Sequence, residues 1–283
     1  MQRYKILHRT FYNFSAAVRL EPHALRLRPR EGPELHIESS TLQITPPATL
    51  RWHRDVEDNA VAIATFETTA QQLAIESEVI IHQYNEAPLN FVVDADAAEY
   101  PFAYSQKDSV VLLPYTIVSE RVASDLLAEW VAKLWQPGER IQTYTLLLRL
   151  ATRIQQTLTY RIREEPGVQS AGETLTSGTG SCRDFAYLFM ETTRHLGLAS
   201  RFVSGYLHTQ PVNNDLGATH AWAEVFLPGA GWKGFDPTIG EIVGIKHIAV
   251  AVSRSPESVP PIAGSFVGPP GAKLDVGVWV TKL

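Results

Sequence analysis

At 283 residues the chain is long for one compact domain and ample for two, and its 45% hydrophobic content is that of a globular protein with a full core. A net charge of −5 and a pI near 6.0 argue against nucleic acid or an acidic membrane as the main partner. A single cysteine, Cys182, excludes an internal disulfide and a cysteine-rich zinc site. The N-terminal residues contain no continuous apolar stretch of the signal-peptide kind, and no run is apolar for long enough to span a membrane. A reducing cytoplasm is therefore the expected location, and the sequon Asn13-Phe14-Ser15 is expected to be idle.

The first third reads as β structure. Tyr4 to Thr10, Leu35 to Ile44, Val61 to Phe66 and Leu73 to Val79 alternate apolar with polar residues or are β-branched, with turn signals at Pro46-Pro47 and Asp58-Asn59. Short strands at this spacing predict an antiparallel β-rich sandwich over residues 1–115. Leu25-Arg26-Leu27-Arg28-Pro29-Arg30 reads as the solvated face of a strand rather than a nucleic-acid patch.

The pattern changes after Pro114, and residues 116–283 read as a second, α+β unit. Ser124 to Trp135 has helical period, with Ser124 as N-cap and Pro137-Gly138 as its end. Thr143 to Thr157 places Leu146, Leu147, Leu150, Ile154 and Leu158 on one stripe. Glu164 to Gly180 is polar and Gly/Pro-punctuated, a loop able to line a cleft. A third helix starts near Ser181 and closes at Gly197. Strands are expected at Arg201 to Leu207, His220 to Leu227, Trp232 to Phe235, Ile245 to Val252 and Leu274 to Val280.

A lone cysteine is ordinarily a small buried apolar residue. Here Gly178 and Gly180 permit close backbone approach, and Ser181 is placed to cap the helix that Cys182 opens. The positive helix start favours thiolate over thiol. A phosphate loop is the weaker reading, because neither a third glycine nor Gly-Lys-Ser/Thr follows. Of nine histidines, His220 is favoured as base, with His208 and His247 as rivals near strand ends and His195 as a structural residue of the helix's last turn. Along a strand from His220, Ala221, Ala223, Val225 and Leu227 share one face, while His220, Trp222, Glu224 and Phe226 share the other, on the cleft side. Glu224 lies roughly 13 Å along the strand, too far for one hydrogen bond. Asp236 returns on the next strand and reaches the face of His220 only through an odd-length loop or a bulge after Leu227. A four-residue hairpin would turn it away, leaving Asp236-Pro237 as a turn starter.

Four ordered blocks carry a resemblance: Gly180 to Ala186 (GSCRDFA), Arg201 to Tyr206 (RFVSGY), His220 to Val225 (HAWAEV) and Phe235 to Thr238 (FDPT). With them, and with the leading run Leu25 to Arg30, the chain resembles the transglutaminase-like superfamily, in particular bacterial members with a β-rich domain ahead of the core. The resemblance implies a papain-like α+β core with Cys182 as nucleophile, His220 as base and then acid, and Asp236 as the residue orienting His220. Amide chemistry through a thioester is then expected, as a cysteine protease or amidase acting on a peptide, a protein or a small amide. A transglutaminase or ligase using an amine, and a peptide-binding module without catalysis, are the alternatives. Gln169, Ser181, Tyr206 and Trp222 are the candidates for an oxyanion or substrate groove. No calcium-loop pattern occurs, so neither metal nor cofactor is expected, and neither nucleic acid nor membrane is an expected partner.

Overall fold

A computed structural model of the chain describes residues 1–119, 124–163, 165–209 and 219–283. Strands β1 (Gln2–Leu20), β2 (His23–Leu25), β3 (Leu35–Thr45), β4 (Ala48–Arg54), β5 (Ala60–Phe66) and β6 (Thr69–Gln83) come first. Helices α1 (Gln106–Thr116), α2 (Ser124–Ala132), α3 (Thr143–Thr157), α4 (Ala171–Ser177) and α5 (Cys182–His195) follow. Two-residue strands lie around them: β7 (Glu99–Tyr100), β8 (Ile141–Gln142), β9 (Thr159–Tyr160) and β10 (Thr179–Gly180). Then come β11 (Ser200–Leu207), β12 (His220–Leu227), β13 (Gly231–Asp236), β14 (Glu241–Ile242) and β15 (His247–Ser253). The closing strands are β16 (Ile262–Ala263), β17 (Phe266–Val267) and β18 (Ala272–Lys282).

The class is α+β. Period-two alternation makes β1 two-faced: Tyr4, Ile6, His8 and Thr10 are buried, while Lys5 and Arg9 pair outward with Glu78 and Glu76 of β6. The buried face of the β1–β6 sheet does two jobs. Its far half, through Val18, Leu20, Leu73 and Ile75, packs on Leu25, Ala62 and Ala64 of the four-stranded sheet β16-β2-β5-β4, which makes the expected sandwich. Its near half, through Tyr4, Ile6, Val79 and Ile81, packs on Tyr206, Ile248 and Val250 of the second unit. The last strands return to this region: β18 runs antiparallel to β1 with Tyr4 opposite Lys282, and β16 pairs with β2.

The second unit centres on the sheet β14-β13-β12-β11-β15. Helix α3 coincides with the stretch the apolar stripe predicts, and its Leu146, Leu147, Leu150 and Ile154 are buried. With α5 they cover one sheet face, where Phe189 stacks on Phe235 at 5.7 Å and Ala221, Ala223, Val225 and Leu227 are buried. Arg194 of α5 is almost fully buried, pairs with Glu191 at 3.0 Å and donates to the carbonyls of Tyr115, Ser200 and Arg254, while His195 is exposed. Two helices escape the sequence pattern. Helix α1 contains Pro114 and exposes Val110, Val111 and Leu113, so it has no core-facing stripe to detect. Helix α4 sits inside the expected 164–180 loop, announced by the capping box of Ser170 and Glu173; Glu164 itself lies outside the described residues.

Strand β15 is the outer strand of this sheet, and residues of the first unit meet its free edge. Arg30 N–H donates to Ala249 C=O (2.9 Å), Gln83 Nε2 donates to His247 C=O (2.9 Å), and Asn59 both donates to Val252 C=O and accepts from Val252 N–H, each at 2.8 Å. An open sheet edge is thereby covered. The arginine row is corrected by the same seam. Its side chains are half-buried rather than solvated, because each finds a partner: Asp55 as a 3.9 Å ion pair for Arg26, Glu31 for Arg28, and the acceptors Glu57 C=O and Asn59 for Arg30. Replacing the fully buried Asn59 by alanine strands several of these partners, and a loss of about 3 kcal/mol in unfolding free energy is expected by denaturant titration.

Candidate active site

Ser181 has an extended backbone and caps α5, which makes Cys182 the first helical residue. The cap works through Asp184. Its Oδ2 accepts from Ser181 N–H (2.8 Å) and Oγ–H (2.7 Å), and its Oδ1 accepts from Arg163 Nη1 and Gln169 N–H, both at 2.7 Å. A fully buried carboxylate with four donors is satisfied in spite of its desolvation, and it ties the loop before α4 to the start of the cysteine helix. Gly180 is required beside it, since a Cβ there would lie 3.0 Å from both Asp184 Cβ and the Phe185 ring.

The loop between β12 and β13 is Pro228-Gly229-Ala230, with Leu227 opposite Gly231 and Ala223 opposite Phe235. Three is the odd length required for the face of His220, and Asp236 arrives alongside Trp222. His220 Nε2 donates to Asp236 Oδ2 at 2.6 Å, leaving the other ring nitrogen for the Cys182 thiol that lines the same cleft. Burial pushes His220 down, yet the hydrogen bond to Asp236 and the charges of Asp236 and the Cys182 thiolate outweigh it and raise the ring to about 10. Asp236 is fully buried, which pushes it up, but donors from His220 and His247 hold it well below the usual carboxylate range. Its Oδ1 accepts from Thr238 N–H at 2.9 Å, so Asp236 is also the turn starter that Asp236-Pro237 suggests.

The thiol and His220 line a cleft of about 370 Å³ with mainly apolar walls, including Val168, Phe202, Val259 and Pro260. Ser204 lines it too; it is 7% exposed, and its hydroxyl makes no hydrogen bond among the described residues. A larger cavity of about 930 Å³, walled by Tyr144, Ile239, Ile242 and His247, does not reach the thiol.

Of the groove candidates, only Ser181 belongs at the cysteine, and there it serves as the cap. Gln169 does not line the cleft: Asp184 takes its N–H and its Oε1 accepts from Thr174. Tyr206 points into the seam with the first unit, its hydroxyl 2.9 Å from Nδ1 of His8, which burial pushes down to about 4. Trp222 is buried behind His220, packed on Val203 and Val252. Its indole fits there because Gly205 has no side chain; a Cβ would lie 2.7 Å from the ring. Glu224 is taken by Arg201 at 2.7 Å, and His208 bonds the Val280 carbonyl.

His247 is the residue whose place the sequence does not reveal. It donates from Nε2 to Asp236 Oδ2 at 3.0 Å and is edge-on to Trp222 at 5.3 Å. Among the described residues, His220, Asp236 and His247 are the one group of metal-ligating type, with ligand atoms within 4.8 Å of one another. The fit to a cation is poor, because Gly244 N–H donates to His247 Nδ1 (3.2 Å) and so leaves the ring proton on Nε2, where a metal would need a lone pair. Removing the other buried carboxylate by Asp184→Ala strips Arg163 of its buried partner, leaving only Glu165 at 3.5 Å, and is expected to destabilise the protein by about 3–5 kcal/mol, measured by chemical denaturation.

Residues 4–82 match the bacterial transglutaminase-like N-terminal region, and residues 137–237 match the transglutaminase-like superfamily. An uncharacterized protein of Mycobacterium tuberculosis is 30% identical over 98% of this chain and 92% of its own length. One of Mycobacterium leprae is 27% identical over the whole of both. Among solved structures, a putative cysteine protease from Cytophaga hutchinsonii superposes with a TM-score of 0.75 at 19% identity, covering 100% of this chain and 91% of that one. Ordered sequence blocks, a β-rich leading unit and a helix-borne cysteine core with the papain-like fold converge: the chain belongs to the transglutaminase-like superfamily.

Proposed function

We propose that the chain is a cysteine-dependent acyl-transfer enzyme that hydrolyses amide bonds in peptides or proteins. The observation that carries this reading is His220, hydrogen-bonded to the buried Asp236 and lining with the Cys182 thiol the mouth of one cleft. The Cys182 sulfur attacks the amide carbonyl as thiolate, and the carbonyl oxygen, now an anion, is held by the Cys182 backbone N–H at the start of α5. The unpaired Ser204 hydroxyl is available as a second donor. His220, held as imidazolium, protonates the leaving amine, and the C–N bond breaks to give a thioester. Water then adds to the thioester, losing its proton to His220, and the thiolate departs.

Mainly apolar walls, with Arg183 and Glu257 as the charged residues besides His220 and the thiol, suit a polypeptide better than a small charged amide. This agrees with the description carried by the Cytophaga hutchinsonii structure. A reducing cytoplasm suits the free thiol.

Incubation with a peptide library, with and without an added primary amine, tests the acceptor: new termini in both arms support hydrolysis, whereas amine-dependent adducts alone would establish transfer. Cys182→Ala is expected to abolish turnover in either case; unchanged function in that variant would make the protein a binding module. The pH profile follows from His220. Acylation needs the imidazolium, so the rate is expected to hold through neutral pH and to fall as pH rises through about 10. Asp236→Asn removes the carboxylate that raises His220, so the fall is expected to begin at lower pH, read from pH–rate profiles of the two proteins.

A further inference from the structure

His220 meets Asp236 through an oxygen that it shares. Asp236 Oδ2 accepts from His220 Nε2 at 2.6 Å on one side and from His247 Nε2 at 3.0 Å on the other. His247 has a side chain only 4% exposed and comes from β15, whereas Asp236 comes from β13 and His220 from β12. Three things fix its ring. Gly244 N–H donates to Nδ1 and thereby sets the proton on Nε2; the Trp222 indole lies edge-on against it at 5.3 Å; and Gln83 Nε2 holds its carbonyl at 2.9 Å from the first unit. A histidine needed only to fill space would not require a fixed tautomer aimed at a carboxylate.

We propose that His247 is a positioning residue of the active site: it aims the Asp236 carboxylate at His220 and, through Gln83, braces it against the β-rich unit. The inference rests on the Cys182–His220–Asp236 reading. Asp236 Oδ1 is fixed by Thr238 N–H, and His247 fixes Oδ2, so the carboxylate cannot rotate away from His220. The titratable groups around His247 are Asp236 and His220 on one side and, lining the cavity behind it, Tyr144, His208, Lys246, Glu241 and Glu86. None of the latter five bonds its ring among the described residues, so Asp236 is the group that His247 acts upon.

The test is the pH dependence of Cys182 alkylation by iodoacetamide in the full-length protein, a readout that needs no substrate. Wild type, Asp236→Asn, His247→Leu and His247→Gln are compared. A thiolate is reactive at lower pH when the neighbouring imidazolium is supported by Asp236. His247→Leu removes the second donor at similar volume and is expected to move the onset of alkylation up by about one pH unit, a roughly tenfold slower reaction below it. His247→Gln restores an N–H at a comparable reach and is expected to stay within about twofold of wild type. If His247→Leu keeps the wild-type profile while Asp236→Asn is shifted, the positioning role is overturned and His247 is packing alone. If Asp236→Asn also keeps the wild-type profile, the triad reading itself fails. A direct check in the wild-type protein is the nitrogen-15 spectrum of the imidazoles: a protonated Nε2 and an unprotonated Nδ1 on His247 are expected at neutral pH, and a ring protonated at Nδ1 would overturn the proposal even if the leucine variant does not fold.

Discussion

Burying the Asp236 carboxylate is the constraint around which the second unit is arranged. An ion of this size withdrawn from water costs several kcal/mol unless donors replace the solvent. Here all the replacements come from different stretches of chain: His220 from β12, His247 from β15, and the Thr238 amide just past β13. Each demands something of its own strand. The three-residue hairpin puts Asp236 on the right face, Gly205 leaves room for the indole behind His220, and the turn into β15 orients His247 through Gly244. A buried charge with its partners on separate elements is satisfied only when those elements have assembled, so the same interaction that orients His220 also selects the fold.

Asp184 repeats the principle at the start of α5. It too is fully buried, and its four donors join the cap of α5, the loop before α4 and Arg163. The cysteine helix is therefore fixed by one buried carboxylate and its histidine partner by another. The two sit on opposite faces of the sheet. Cys182 and the apolar row Ala221, Ala223 and Val225 lie on the α5 side, and Trp222 and Asp236 on the other, with His220 at the strand end joining them.

What could be read from the sequence was what short-range periodicity encodes. The stripe from Leu146 to Ile154 marks α3, Ser181 marks the start of α5, and alternation along β12 separates its two faces. Strand parity also required an odd-length loop or a bulge if Asp236 was to face His220, and the three-residue loop is one of these. Hidden features depend on distant partners. Nothing near His247 announces Asp236, and nothing in Leu25 to Arg30 announces the acceptors at residues 55–59. Tyr206 and Trp222 share the motif blocks of the site but face the seam and the core, since a motif records that residues occur together and not where each points. Helix α1 was invisible because its apolar residues remain exposed.

The pairing of β18 with β1 sets an order on how the protein is made. Tyr4 is synthesised long before its partner Lys282. Until β18 is made, one edge of β1 and the apolar side chains that pack with Val278 lack their neighbours, so the β-rich unit closes only after β18 has followed. Since that unit also caps β15 and holds His247, the Asp236 carboxylate is expected to settle late as well. A chain that has not yet paired β18 would thus carry Cys182 before it carries the contacts that hold His247, so under the proposed function the thiol precedes its support in time.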